Sequence, residues 1–210
     1  MKAHLPGVLS AAAACAAGLA IVSVRDQPAA AIIVFIAATI LEALPGRPDR
    51  EFALSLSPVA IASLTALCGI PRALAAGAAA MVAAGLIPQK PSGNRVRPLH
   101  RILRTVPSLL PAALVMLARE GAIGPEAAAV IVLWLVIGGR LAADMLAMPA
   151  GERPRAFQWL PGGAMMTMAV LLLLAAIRLS GAPGAFLLLV PLVSFASISV
   201  IRERKLASYR

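Results

Sequence analysis

Eight apolar runs divide the chain, and each is closed by a helix breaker or a group of charges. They cover Val8–Val24, Ala29–Leu44, Phe52–Cys68, Ala73–Ile87, Val106–Ala118, Ala127–Gly139, Phe157–Ile177 and Ala185–Ile201. No run alternates at period two and none has a polar helical face. The pattern therefore predicts helices that are apolar all round, the kind found in lipid or inside a bundle. Arg25-Asp26-Gln27-Pro28, Pro45-Gly46, Gly69-Ile70-Pro71-Arg72, Arg119 to Glu126 and Arg178 to Gly184 supply the turns. The sixth run is expected to continue as an amphipathic stretch to Met148. A full membrane span takes about 20 apolar residues, within a range of roughly 17–25. The fourth and fifth runs are shorter, so tilting, snorkelling arginines or a partly re-entrant path is expected there.

Composition turns this pattern into a membrane prediction. Of the 210 residues, 60% are hydrophobic and 13% charged, whereas a soluble domain is nearer half apolar and about a quarter charged. The formal charge is +10. On a soluble chain that excess would suggest nucleic acid. Here the basic residues lie between apolar runs and aromatics are only 4%, too few for base stacking. The expected counterpart is the anionic headgroups of a bilayer, and no nucleic acid.

If all eight runs cross, the charges sort by side. One side holds Lys2, Arg47, Arg50, Lys90, Arg95, Arg97, Arg101, Arg104, Arg140, Arg153, Arg155, Arg202, Arg204, Lys205 and Arg210; the other holds Arg25, Arg72, Arg119 and Arg178. Cytoplasmic loops of membrane proteins carry the Lys/Arg excess. Merging the third and fourth runs would mix the two sets. The prediction is an all-α, polytopic membrane bundle of eight segments in four hairpins, located in the cell membrane with both termini cytoplasmic. It comprises one transmembrane domain, 1–201, and a short basic tail, 202–210. The outer turns are tight, so anything arriving from outside must be met by the helices themselves.

Candidate chemistry is sparse. His4 and His100 are the only histidines, and no His, Cys or carboxylate grouping has metal-ligand spacing. Cys15 and Cys68 lie inside apolar runs and read as small buried side chains. No catalytic residue, metal or cofactor is expected. Glu42 is in the last turn of the second run, where snorkelling to the cytoplasmic interface competes with an ion, ligand or arginine contact. Ser55 and Ser57 are expected to bond helix carbonyls. Arg140 and Asp144, at i and i+4, are expected to pair at the cytoplasmic interface. Lys90, Arg95, Arg97, Arg101 and Arg104 form a basic loop that reads as a lipid anchor, with docking of a cytoplasmic protein as the alternative. Segments one and four are rich in Ala and Gly, which allows close helix approach. The oligomeric state is left open.

Leu44-Pro45-Gly46-Arg47, then Leu54-Ser55-Leu56-Ser57, then the hairpin turning at Gly69-Ile70-Pro71 resemble a bacterial membrane sensor module. So does Leu187 to Leu192 running into Arg202-Glu203-Arg204. In bacterial signalling proteins that module precedes HD-GYP-type phosphohydrolases and sometimes GGDEF cyclases. The resemblance covers about Ala29 to Arg204. It departs from the family at Arg104 to Ser108, where an Asn-containing stretch is usual. The sequence has no His-Asp dyad, so the phosphohydrolase activity does not carry over. The resemblance implies a non-enzymatic, stand-alone sensory or scaffold module. The alternative is a small transporter or substrate-binding membrane subunit, with a ligand-sized cavity near Glu42 or Ser55–Ser57.

Overall fold

A computed structural model describes residues 5–23, 27–44, 56–86, 109–117, 123–147 and 160–208, and among them the chain is helical with no strand. The helices are α1 (Leu5–Val22), α2 (Pro28–Ala43), α3 (Ser57–Cys68), α4 (Ile70–Leu86), α5 (Leu110–Leu117), α6 (Pro125–Ala147), α7 (Leu160–Ser180) and α8 (Ala182–Ser208). Eight predicted runs thus correspond to eight described helices. The two helices of every predicted hairpin pack on each other: α1 on α2, α3 on α4, α5 on α6 and α7 on α8.

Two of these hairpins turn on a single glycine. Gly69 between α3 and α4 has φ 79°, and Gly181 between α7 and α8 has φ 65°, the left-handed region that side chains with a Cβ resist. The Gly69 amide donates to the Thr65 carbonyl at 3.0 Å and the Gly181 amide to the Ile177 carbonyl at 2.6 Å. The last turn of each first helix is thereby closed before the chain reverses.

The centre of the fold is α3. Ten of its twelve residues are buried, from Ser57 to Thr65 and Cys68. Its faces feed three apolar clusters. Ala60, Leu64 and Cys68 meet Val34, Phe35 and Ala38 of α2, Ala76 and Ala80 of α4, and Leu173 and Ile177 of α7. Val59 and Ala62 meet Leu133 and Ile137 of α6 and Met166 and Val170 of α7. Ile61 meets Met81 of α4 and Val132 and Val136 of α6. A helix with no polar face is stable only when neighbours cover every side of it. Its hydroxyls are satisfied locally: Ser63 Oγ donates to the Val59 carbonyl at 2.8 Å and Thr65 Oγ1 to the Ile61 carbonyl at 3.3 Å.

Around this centre, α1 lies most extensively along α4, and the small residues of both allow that close approach. Close approach recurs elsewhere. A Cβ on Gly163 of α7 would lie 2.5 Å from the Trp134 ring of α6, and one on Gly18 of α1 would meet the Phe35 ring of α2.

Two expectations change. The fourth and fifth runs are the ones expected to fall short of a span, yet the helix of the fourth run, α4, has 17 residues and that of the third, α3, has 12, about 18 Å at 1.5 Å per residue. By length and composition, Pro125–Ala142 and Leu160–Ser180 can cross a membrane; Gly7–Val22, Pro28–Ala43, Ser57–Cys68, Ile70–Leu86 and Ala182–Ile198 are shorter apolar helices. The predicted tail also differs, because α8 continues unbroken through Arg202 to Ser208. Arg, Glu, Lys, Leu and Ala are good helix formers and nothing there breaks the helix.

These contacts set a paired prediction. Gly163→Ala drives a methyl group into Trp134 and is expected to destabilise the bundle by about 1–3 kcal/mol. A Cβ on Gly138 of α6 has nothing within 4 Å, so Gly138→Ala is expected to be neutral or to stabilise by up to about 1 kcal/mol. Thermal unfolding of both variants in detergent checks the contrast; equal effects would contradict the packing described.

Candidate functional site

The sequence places few polar groups in the apolar runs, and the structure brings three of them together. Glu42 is in the last turn of α2, Ser57 is the first residue of α3, and Arg140 lies on α6 after the Gly138-Gly139 pair. The Arg140 guanidinium Nη2 donates to Glu42 Oε2 at 2.7 Å and to Ser57 Oγ at 3.0 Å. Ser57 Oγ in turn donates to the same Glu42 oxygen at 2.5 Å. The side chain of Glu42 is 7% exposed and that of Arg140 17%. This is a closed triangle in which the hydroxyl accepts from the cation and donates to the anion, so both charges are hydrogen-bonded as well as paired.

Local structure explains the position of each group. The Pro45-Gly46 sequence after α2 disfavours further helix, and Glu42 is the last residue but one of α2. Pro58 follows Ser57 and suits the start of α3, where no intrahelical amide is needed. The carboxylate therefore stands at the amino end of α3, where the helix dipole favours negative charge, while being disfavoured by the carboxyl end of its own helix. Arg140 supplies the compensating charge. Its Nε is buried without a hydrogen-bond partner among the described residues.

Of the readings open for Glu42, the arginine contact is the one formed: its side chain is buried and bonded across the bundle. Ser57 bonds a carboxylate where a helix carbonyl was expected. Arg140 engages Glu42 of α2, and of its expected partner Asp144 only the helical backbone is described, one turn further along α6. Ser55 and the basic loop Lys90, Arg95, Arg97, Arg101 and Arg104 lie outside the described residues. The signal for the triangle was present in the sequence: one acid and one base at the carboxyl ends of their apolar runs and one hydroxyl near the amino end of another. What sequence spacing lacks is the neighbour relation, since Glu42 and Arg140 are 98 positions apart.

A second polar group lies at the other end of the bundle, near the Gly69 and Gly181 turns. Arg178, in the last turn of α7, forms an ion pair with Glu126, in the first turn of α6. They border a cavity of about 230 Å³ lined by Gln27, Ala66, Leu67, Glu126, Leu174, Ile177 and Arg178. Sequence reasoning used Arg178 only to assign a side and did not single out Glu126. A smaller polar link joins α6 to α7: Trp134 Nε1 donates to Thr167 Oγ1 at 3.1 Å, which donates to the Gly163 carbonyl at 2.9 Å. Among the described residues, no three His, Cys, Asp or Glu side chains group to hold a metal ion.

No family model, curated protein or solved structure matches the chain.

The triangle has a testable energetic signature. Removing one member of a buried pair strands the other charge and costs about 3–5 kcal/mol, while replacing both with apolar groups of similar size is often neutral. Arg140→Met alone and Glu42→Leu alone are each expected to destabilise by that amount, and the double variant to recover most of it. Equilibrium unfolding of the three variants in mild detergent measures the coupling. Additive losses would mean that the two groups do not interact.

Proposed function

We propose that the chain is a multi-pass integral membrane protein with both termini in the cytoplasm, acting as a non-enzymatic sensory or scaffold module. The observation that carries the membrane part is the outer surface of α7 and α8. Met165, Met168, Leu172 and Leu179 of α7 and Phe186 and Leu187 of α8 are all exposed, Leu179 to 86%. The opposite side of α7, with Met166, Val170, Leu173 and Ile177, is buried in the bundle. A helix that is apolar both inward and outward needs an apolar solvent, and large exposed apolar patches mark membrane or partner contact.

The choice of a sensor over a transporter rests on the triangle. A transporter or substrate-binding subunit calls for a ligand-sized space beside Glu42 and Ser57. Arg140 occupies that position and bonds both groups, so the polar site in the bundle acts as a clasp among α2, α3 and α6. The resemblance to the membrane module of HD-GYP and GGDEF signalling proteins agrees with that reading, and Lys90–Arg104 with the end of α8 would face the cytoplasmic partner.

Orientation is tested by labelling. In a background with Cys15 and Cys68 replaced by alanine, Gln27→Cys is expected to react with a membrane-impermeant maleimide on intact cells, and Lys205→Cys only after permeabilisation. Reaction of both, or of Lys205→Cys alone, on intact cells would overturn the topology, and recovery of the chain in the soluble fraction would overturn the membrane assignment.

A further inference from the structure

The cavity beside Glu126 and Arg178 has a composition that selects a ligand. Its volume of about 230 Å³ is below the ~300–1,000 Å³ of drug-sized sites. Liquid water takes about 30 Å³ per molecule, so the space equals roughly eight waters. That suits a compact molecule of a few heavy atoms.

The polar groups at the rim carry opposite charge and come from different helices. Arg178 offers a planar donor fork suited to a carboxylate, and Glu126 offers an acceptor suited to an ammonium. Gln27 precedes Pro28, the first residue of α2, and its side chain does not cap that helix, which leaves its amide available to a guest. The floor is apolar: Ala66 and Leu67 from α3, and Leu174 and Ile177 from α7. A purely anionic or cationic guest would engage one of these two groups and take it from its ion pair without engaging the other. A guest bearing both charges, a short distance apart, satisfies both. The ion pair between Arg178 and Glu126 does not close the site, since their side chains are 65% and 35% exposed and exposed pairs are weak.

We infer that this cavity binds a small zwitterion with one carboxylate, one ammonium and a short aliphatic group, the chemistry of a small free amino acid. The carboxylate sits on Arg178, the ammonium on Glu126, and the aliphatic group on Ala66 and Leu67. Those last two belong to the buried central helix, and Glu126 belongs to the helix that carries Arg140. A guest at this end therefore touches the same two helices, α3 and α6, that the Glu42–Ser57–Arg140 triangle joins at the other. The inference deepens the sensor reading and rests on it only for the side from which the ligand arrives.

The test uses the full chain purified in detergent, with titration calorimetry of glycine, L-alanine and L-serine, and of propionate and ethylamine as the two separated halves of alanine. The expected result is saturable binding of at least one amino acid, at least tenfold tighter than either half. Arg178→Gln and Glu126→Gln should each weaken it tenfold or more, and Arg72→Gln, at the same end but off the cavity, should leave it unchanged. Ala66→Leu fills the floor with both charges intact and should also abolish binding. Circular dichroism and a monodisperse elution profile confirm that each variant is folded. No binding of any of the three amino acids, equal binding of alanine and propionate, or binding that survives both charge variants would overturn the assignment. Because the measurement needs no membrane, it fails separately from the orientation test: a chain that labels at Gln27→Cys from outside but binds no amino acid loses the ligand and keeps the topology.

Discussion

The arrangement depends on the burial of α3. With ten of twelve residues shielded from solvent and no polar side to turn outward, this helix has to be enclosed by α2, α4, α6 and α7. Each of the three apolar clusters takes a different part of its surface. Once those neighbours are in place, α1 adds against α4 and α2, α8 against α7 and α2, and α5 against α4 and α6. The topology follows from the need to cover one short segment.

Dispersion contacts alone would locate α3 poorly, because an apolar helix can slide or rotate against apolar partners at little cost. The bonds at its first residue remove that freedom. Ser57 can reach Glu42 and Arg140 together in only one axial position and one rotation, and a buried polar group used in this way sets register more than it adds stability. The Gly69 turn at the opposite end fixes the other terminus. Between those two points the helix has no register left to choose.

Much of this was legible in the chain. Breakers and charges delimited eight helices, most of them to within a few residues, and small-residue content marked α1 and α4 as helices able to approach a neighbour closely. The single-glycine turn at Gly69 separated α3 from α4 as the charge distribution required. Less legible were relations between distant positions. Local spacing offered Arg140 a partner at Asp144, one turn away, whereas the bundle brings Glu42 to it from another helix. Glu126 went unremarked because an acid in a helix's first turn is ordinary, and only the fold sets it beside Arg178 and an apolar hollow. Helix ends were misjudged where propensity outlasted the apolar pattern: α8 runs past Ile201 because Arg202 to Ala207 favour helix without being hydrophobic.

That extension has a mechanical meaning. From the Gly181 turn to Ser208, α8 is one rod of 27 residues, about 40 Å long at 1.5 Å per residue. A rod of that length is a lever: a tilt of roughly 5° at the turn sweeps the far end through about 3.5 Å, close to the rise of two helical residues. Pro191, inside the rod, removes one backbone hydrogen bond and provides a point where bending is cheapest. A displacement too small to unpack the bundle thus becomes, at Arg202 to Lys205, a movement comparable to the width of a side chain.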